Sequence, residues 1–169
     1  MNVRVVPWLV AAVIVVADRL SKIAVIASIQ PGETVALVPG LTLTHVRNSG
    51  IAFSLFSGGG PTSRLLLYSV IVAAVAVLAW MTVRHGAVSS LAPWALGLVL
   101  GGAVGNLIDR ILYEGTVVDF IRAWVHLGGR TYSWPDFNVA DSAISVGAVI
   151  LILTELFRPE KSEDAPDSD

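Results

Sequence analysis

The sequence predicts an all-α polytopic membrane protein with four transmembrane helices, a small extracytoplasmic β-sheet and a second structured extracytoplasmic loop. Of its 169 residues, 54% are hydrophobic and only 14% are charged, whereas an average soluble domain is about 25% charged. The mean hydropathy is +0.73, and four separate stretches approach the roughly 20 apolar residues that a membrane-crossing helix needs. A soluble fold of this size could not bury so much apolar surface.

The predicted spans cover about residues 5–27, 65–83, 91–108 and 137–154. The first is interpreted as a retained helix and not as a cleaved signal peptide, because three charged residues stand where a cleavage site would follow and apolar residues continue beyond them. These residues are Asp18, Arg19 and Lys22. The second span carries no strongly polar side chain, which favours a supporting role against lipid.

Two long loops, residues 28–64 and 111–136, connect the spans. In the first loop, Leu41–Val46 alternate apolar and polar side chains, which predicts a half-exposed strand. In the second, four apolar residues share one helical face and predict a helix in the membrane interface: Val118, Ile121, Trp124 and Val125. Two aromatic residues of this loop suit the lipid headgroup region: Tyr132 and Trp134.

Four spans place both chain termini on one side of the membrane and both long loops on the other. The distribution of Lys and Arg favours cytoplasmic termini by a small margin. Residues 1–157 form the membrane domain in this interpretation. Residues 158–169 carry five acidic and two basic side chains, and this composition predicts a disordered acidic cytoplasmic tail.

The composition argues against several classes of function. Because the chain has no cysteine, disulfides, thiolate nucleophiles and Cys-ligated metals are excluded. The three histidines, His45, His85 and His126, do not have a metal-binding spacing. No basic stripe is present that could neutralise nucleic-acid phosphates. We therefore expect neither a metal site nor a nucleic-acid partner.

Polar residues converge near the ends of three spans that face the long loops. A charge at the centre of a membrane helix costs about 2.5–3.5 kcal/mol on insertion scales, so we expect these side chains to face one another. They are Asp18 and Lys22 in the first span, Asn106, Asp109 and Arg110 in the third, and Asn138, Asp141, Ser142 and Ser145 in the fourth. A purely structural role as helix-pairing charges stays open for Arg19 and Asp109.

Two carboxylates differ from the rest in their surroundings. Asp119 lies between apolar dipeptides in the second loop, and Asp141 lies at the start of the fourth span. If the loop brings them together, charge repulsion and low dielectric would make them share one proton, which is the state that aspartic proteases use. An exposed loop acid at Asp119 and a carboxylate favoured by the helix dipole at Asp141 are the alternatives.

Two other classes of function remain compatible with individual residues. A proton-coupled transporter also uses intramembrane Asp and Lys, although it usually needs more spans and polar residues at mid-depth. A Ser–Lys peptidase would use Lys22 as the base. Its candidate nucleophiles are Ser21, Ser49 and Ser54. Ser21 points to a different side of the helix from Lys22, so these two neighbours cannot form the pair.

Five strings, taken in order, resemble the lipoprotein signal peptidases, the type II signal peptidases of bacteria. Each string alone is weakly informative, but five at these distances are highly specific. They are DRLSK at Asp18–Lys22, NSGIAFS at Asn48–Ser54, GGAVGNLIDR at Gly101–Arg110, VVDF at Val117–Phe120 and FNVADS at Phe137–Ser142. The resemblance covers nearly the whole chain except the acidic tail.

The resemblance implies a membrane-embedded aspartic endopeptidase of the bacterial inner membrane, with both termini cytoplasmic and the site near the extracytoplasmic face. It implies removal of the signal peptide from diacylglyceryl-modified prolipoproteins, on the amino side of the lipidated cysteine. Asp119 and Asp141 would be catalytic. The supporting set would be Asp18, Lys22, Asn48, Gly102, Asn106, Arg110 and Asn138.

Partners and cofactors follow from the same resemblance. Prolipoprotein substrates, membrane lipid and globomycin-type inhibitors are the expected partners, no metal or organic cofactor is expected, and we expect a monomer. Asn138 could hydrogen-bond a catalytic oxygen, and Asn106 and Arg110 could hold substrate carbonyls or a loop backbone. Residues 34–57 would form a sheet whose edge binds an extended peptide. The substrate lipid would contact Phe53 and Phe56.

Overall fold

The computed structural model describes residues 3–49, 61–84 and 91–157, and in this part the chain forms four helices and four strands. The helices are α1 (Val6–Ser28), α2 (Pro61–Arg84), α3 (Ala92–Leu112) and α4 (Val139–Leu156). The strands are β1 (Thr34–Val38), β2 (Leu41–Asn48), β3 (Val117–Leu127) and β4 (Arg130–Ser133). Each helix overlaps one of the predicted spans.

Two helices of the described chain are long and apolar enough to cross a membrane, namely α3 and α4. Within α2, the apolar stretch Ile71–Trp80 is shorter. The 23-residue α1 is also long, but three charged side chains lie in its second half. Helices of this length and composition agree with the hydropathy of the chain.

The helices pack around α3, which contacts α1, α2 and α4, while α1 also contacts α4. Glycines allow these close approaches. A Cβ at Gly101 would lie 2.8 Å from the carbonyl oxygen of Ala11 in α1, and a Cβ at Gly102 would collide with the carbonyl oxygen of Ala140 in α4. Two neighbouring glycines of α3 therefore bring two different helices to backbone contact.

The strands form one antiparallel sheet in the order β1-β2-β3-β4. A β-bulge in β2 sets two residues, Thr44 and His45, against the single partner position between Ile121 and Asp119. The β3–β4 hairpin turns through Gly128 and Gly129, which both have positive φ, as tight hairpin turns require. The sheet was predicted from residues 34–57; it instead joins β1 and β2 to two strands of the second loop.

The predicted interfacial helix through Val118, Ile121, Trp124 and Val125 is wrong, because these residues belong to β3. Val117–Phe120 are all buried, so this half of the strand lacks the apolar–polar alternation that marks a half-exposed strand. The run is rich in β-branched and aromatic residues, which favour strands. It is covered by β2 on one edge and by Phe137 on the other.

The far half of β3 and its partner β4 carry an exposed apolar face. Val125 pairs with Tyr132 across the hairpin, and Leu127 and Trp134 follow at alternate positions on the same side. All four side chains are about half or more exposed, with Trp134 the most exposed at 70%. The predicted sheet residues 50–57, including Phe53 and Phe56, and the predicted tail 158–169 lie outside the described residues.

Candidate active site

The start of β3 and the start of α4 are joined by a short backbone ladder. Phe137 N donates to Ile121 O at 3.0 Å, and Ile121 N donates to Phe137 O at 2.8 Å. Because this pairing is antiparallel, the residue after Phe137 lies beside the residues before Ile121. The ladder therefore places Asn138 next to Asp119.

Asn138 bonds to both candidate carboxylates and is fully buried. Its Nδ2 donates to Asp119 Oδ1 at 2.8 Å, so the predicted hydrogen bond from Asn138 to one of the two carboxylates is present. Asn138 is also the N-cap of α4, and it forms a reciprocal capping box with Asp141. Asp141 N donates to Asn138 Oδ1 at 2.9 Å, and Asn138 N donates to Asp141 Oδ2 at 3.2 Å. One asparagine thus orients Asp119 with its side chain and Asp141 with its backbone.

Asp119 is 2% exposed and accepts a second hydrogen bond from β2, where Asn48 Nδ2 lies 2.8 Å from its Oδ2. Burial is the main cause that raises the pKa of Asp119 to about 6, and the charge of Asp141 adds to it. Hydrogen bonds from Asn48 and Asn138 and the charge of Lys22 act in the opposite direction. The result is a carboxyl group that titrates near neutral pH, as general acids and bases do.

Asp141 lies closer to solvent than Asp119, since it is only partly buried. Its Oδ1 accepts a hydrogen bond of 2.8 Å from Asn106 Nδ2 of α3. Asn106 Oδ1 in turn accepts from Asn138 Nδ2 at 3.2 Å and from Lys22 Nζ at 3.3 Å. The amide of Asn106 therefore connects Asp141 to the buried charges of α1.

A buried cluster of ion pairs between α1 and α3 supports the two carboxylates. Lys22 Nζ lies 2.8 Å from Asp18 Oδ2, which is the predicted i, i+4 pair, and 2.9 Å from Asp109 Oδ2. All three side chains are at most 1% exposed. Asp18 Oδ1 also accepts from Ala140 N in the first turn of α4 at 3.0 Å, where the helix dipole favours a negative charge. Each buried charge is thus paired or hydrogen-bonded, which such burial demands.

Asp109 contacts the strand that carries Asp119. It belongs to the predicted polar cluster of α3 but is not one of the nine predicted site residues. Its Oδ1 pairs with Arg19 Nη1 at 2.9 Å, which is compatible with the structural alternative of helix-pairing charges. Its Oδ2 also accepts from Val118 N at 3.0 Å, one residue before Asp119. The i, i+3 spacing from Asn106 placed Asp109 on the polar face of α3. Its contact with Val118 N depends on the turn between α3 and β3, which the spacing could not predict.

The remaining predicted supporting residues stabilise the backbone. Arg110 Nη1 donates to Asn106 O, 3.2 Å away and one turn back in α3. Gly102 lets α3 approach the first turn of α4, and Gly105 leaves room for the carboxylate of Asp18, 2.8 Å from a Cβ at that position. Both glycines therefore allow close approach between helices.

The serine alternative finds no pair among the described residues. Ser21 Oγ donates to the carbonyl oxygen of Asp18 at 2.9 Å, and the described contacts of Lys22 Nζ are with Asp18, Asp109 and Asn106. Ser54 lies outside the described residues. Within the described ranges, no group of three His, Asp or Glu side chains could hold a metal ion.

Comparisons with known proteins identify the family of this chain. The family model described as "Signal peptidase (SPase) II" matches residues 10–157. The chain belongs to the signal peptidase II family. All nine predicted site residues lie inside the matched range.

Named relatives of the signal peptidase II family span almost the whole chain. A lipoprotein signal peptidase of Paraburkholderia phymatum is 41% identical over 153 residues, which cover 90% of this chain and 89% of the relative. One from Janthinobacterium sp. is 41% identical over 156 residues, covering 92% and 91%. Two solved structures described as a bacterial membrane enzyme are each 28% identical. Their TM-scores are 0.76 and 0.75, over 90% and 94% of this chain and 94% and 93% of theirs.

Proposed function

We propose that this protein is a membrane-embedded aspartic endopeptidase that removes the signal peptide from diacylglyceryl-modified prolipoproteins, cutting on the amino side of the lipidated cysteine. Membership of the signal peptidase II family supports the substrate class. The observation that carries the catalytic type is the asparagine that bonds to two carboxylates: Asn138 reaches Asp119 with its side chain and Asp141 with its backbone.

In the proposed reaction, one carboxylate is protonated and the other is charged. The charged carboxylate takes a proton from a water molecule, whose oxygen attacks the scissile carbonyl carbon. The protonated carboxylic acid donates its proton to the carbonyl oxygen. When the tetrahedral intermediate collapses, the C–N bond breaks and the amine of the lipidated cysteine leaves with the proton that the first carboxylate took from water. A hydroxyl proton of the intermediate returns to the second carboxylate as the new carboxyl group forms. Water is the co-reactant, and no metal or organic cofactor takes part.

We assign the role of proton donor to Asp119 and the role of the carboxylate that activates water to Asp141. Burial raises the pKa of Asp119 to about 6, so that Asp119 keeps its proton closer to neutral pH than an exposed aspartic acid does. Asp141 is less buried, so water can reach it. Asn48 and Asn138 each donate to Asp119 at 2.8 Å and hold its carboxyl group in one orientation.

The supporting residues act by fixing these two groups. Lys22 forms ion pairs with Asp18 and Asp109, and these two carboxylates join α1, α3 and α4 next to the site. Asn106 holds Asp141 at 2.8 Å, and Arg110 lies one turn further along α3 for substrate carbonyls. Gly102 sets the distance between α3 and α4.

We propose that all four helices cross the bacterial inner membrane, with both termini cytoplasmic and the sheet at the extracytoplasmic face. Three exposed tryptophans lie near the proposed cytoplasmic ends of α1, α2 and α3, where they support a membrane interface: Trp8, Trp80 and Trp94. At 1.5 Å per residue, Lys22 lies about 21 Å along α1 from Trp8, which is inside the far leaflet of a bilayer core about 30 Å thick. Water could then reach the carboxylates while the acyl chains of the substrate stay in the bilayer.

The β3–β4 hairpin has an exposed apolar face that fits the lipid interface on the extracytoplasmic side. It is formed by Val125, Leu127, Tyr132 and Trp134. Trp134 is four residues from the N-cap of α4. Because the connection to this membrane helix is short, the hairpin lies next to the membrane. Membrane lipid, prolipoproteins and globomycin-type inhibitors are the proposed partners of a monomeric enzyme.

The test replaces each proposed catalytic acid by its amide. Asp119→Asn and Asp141→Asn should each reduce cleavage of a purified diacylglyceryl prolipoprotein by at least 1,000-fold, because neither amide can exchange the required proton. Glu33→Gln is the matched control, since Glu33 accepts a hydrogen bond from Gln30 N in an exposed loop. It should cleave like the unmodified enzyme.

Thermal unfolding in detergent checks that both variants fold. A folded Asp119→Asn or Asp141→Asn protein with more than a tenth of normal turnover would contradict the aspartic mechanism. Loss of activity on replacing Ser49 or Ser54 by alanine, together with an active Asp119→Asn variant, would favour a serine nucleophile instead.

A further inference from the structure

Tyr113 closes α3 at the turn that leads into β3. Its backbone N donates to Asp109 O at 2.7 Å, and its carbonyl oxygen accepts from both Thr116 N and Thr116 Oγ1. Glu114 and Gly115 follow with positive φ, so the chain reverses within a few residues. These contacts fix the backbone of Tyr113 and the direction of its side chain. None of the five family-like strings includes this tyrosine.

Two arginines from different elements meet on the Tyr113 side chain. Arg19 of α1 donates from Nη2 to the phenol oxygen at 3.0 Å. The guanidinium of Arg47 in β2 lies 4.2 Å from the ring centroid, well within the range of a cation–π interaction. Tyr113 therefore joins α1, α3 and β2 at one point.

Both arginines lead to Asp119 by short paths. Arg19 also pairs with Asp109 at 2.9 Å, and Asp109 accepts from Val118 N, one residue before Asp119. On the other path, Arg47 directly precedes Asn48, whose Nδ2 donates to Asp119 Oδ2 at 2.8 Å. The two paths hold Asp119 by its backbone and by its carboxyl group.

We infer that Tyr113 is a positioning residue for Asp119, acting through Arg19 and Asp109 on the backbone and through Arg47 and Asn48 on the carboxyl group. The inference rests on the proposed function, since it assigns Asp119 a catalytic role. Groups held by such supporting contacts keep the geometry that catalysis needs, and a shift of about 1 Å costs up to about 100-fold in rate.

The contacts that run from Tyr113 through Arg47 and Asn48 should affect the titration of Asp119. The groups that face Asp119 are Asn48 of β2, Lys22 of α1, Arg110 of α3, and Asn138 and Asp141 of α4. The hydrogen bond from Asn48 lowers the pKa of Asp119 against the effect of burial. If loss of the Arg47–Tyr113 contact displaces Asn48, this pKa rises above about 6 and the alkaline limb of kcat/KM moves to higher pH.

The experiment compares three variants that remove the contacts separately. Tyr113→Phe loses the bond to Arg19 but keeps the ring under Arg47, so kcat should fall about threefold to tenfold with an unchanged pH profile. Tyr113→Leu loses both contacts, so kcat should fall at least tenfold with an alkaline limb about half a pH unit higher or more. Arg47→Gln removes the cation at an exposed position and should move the limb in the same direction. Phe157→Leu, an exposed aromatic residue at the far end of α4, is the control and should change neither.

A measurement that does not need turnover separates this inference from the proposed function. The carboxyl ¹³C signal of Asp119, identified by its loss in Asp119→Asn, is titrated in lipid nanodiscs for each variant. If Tyr113→Leu and Arg47→Gln titrate like the unmodified protein, the inference is wrong even when the enzyme cleaves prolipoprotein. If the unmodified enzyme does not cleave but Asp119 titrates as expected in the variants, the proposed function fails and the positioning contact stands.

Discussion

Asn138 performs two tasks that separate residues perform in many proteins. As the N-cap of α4 it satisfies backbone groups that a helix start leaves free, and as a side-chain donor it holds Asp119. The polar atoms of Asn138 with described contacts either cap α4 or hold Asp119. No conservative replacement keeps both functions. Aspartate could still cap the helix, but it would place a third carboxyl group next to Asp119 and Asp141 and could not donate from a side-chain amide to Asp119.

The raised pKa of Asp119 has a consequence for stability. The folded protein holds the proton up to about pH 6, whereas an unfolded aspartate loses it near pH 4. Stability is therefore greatest below pH 4 for this group and falls by about 2–3 kcal/mol as the pH rises to well above 6. Asp119→Asn removes this loss. The stability of this variant relative to the unmodified protein should therefore increase from pH 4 to pH 8.

Unfolding curves in detergent at pH 4, 6 and 8 measure the difference between the two proteins. Phe157→Leu, which replaces an exposed side chain without a titratable group, should show a constant difference over the same range. A difference for Asp119→Asn that does not change with pH would mean that Asp119 does not titrate with the raised pKa.

The packing of α3 against its neighbours determines the geometry of the site. Gly101 and Gly102 are adjacent, yet they face different helices, and in each case the added Cβ would meet backbone that cannot move independently. Gly102 faces Ala140, one residue before Asp141. Spacing between α3 and α4 is thus coupled to the position of one carboxylate.

Gly101→Ala and Gly102→Ala should both lower stability, each by about 1–3 kcal/mol, because overpacking forces backbone to shift. Only Gly102→Ala should also lower kcat by tenfold or more, because it displaces the first turn of α4. Unfolding curves and kcat, measured side by side for the two variants, test this. Equal loss of kcat in Gly101→Ala would show that the site tolerates no adjustment anywhere in α3.

How far the sequence predicts this fold varies with the type of element. Hydropathy located the helices, because a long apolar run has few alternatives in a membrane protein. The pattern failed for β3, because a strand buried on both faces loses the alternation that distinguishes it from a buried helix. Its strand pairing depends on β2 and on Phe137, which are distant in sequence.

The site shows the same limit. Spacing predicted the Asp18–Lys22 pair and the polar face of α3, since both are local to one helix. It could not show that Asp109 reaches Val118 N, or that Tyr113 receives Arg19 and Arg47. Those contacts depend on how the turn after α3 folds back onto α1 and β2.

At the scale of the whole molecule, the proposed enzyme acts on a substrate that is partly peptide and partly lipid. The sheet offers backbone edges to an extended peptide, and the helices offer apolar surface to acyl chains. We expect a diacylglyceryl substrate to be cleaved at least 100-fold faster, as kcat/KM, than the same peptide without lipid, because the bilayer concentrates and orients the lipidated form.

Matched lipidated and unlipidated versions of one prolipoprotein, assayed in nanodiscs with and without EDTA, measure this preference. EDTA should leave both rates unchanged. Equal rates for the two substrates would contradict lipid recognition, and activity that EDTA removes and one metal restores would contradict a reaction driven by two carboxylates alone.

The two acids come from parts of the chain that are made at different times. Asp119 precedes the last helix, while Asp141 lies within its first turn, and Asp18 of the first helix anchors that turn through Ala140 N. A chain that ends before α4 therefore carries only one of the two proposed catalytic acids. In the proposed enzyme, proteolytic activity would arise only when α4 packs against α1 and α3.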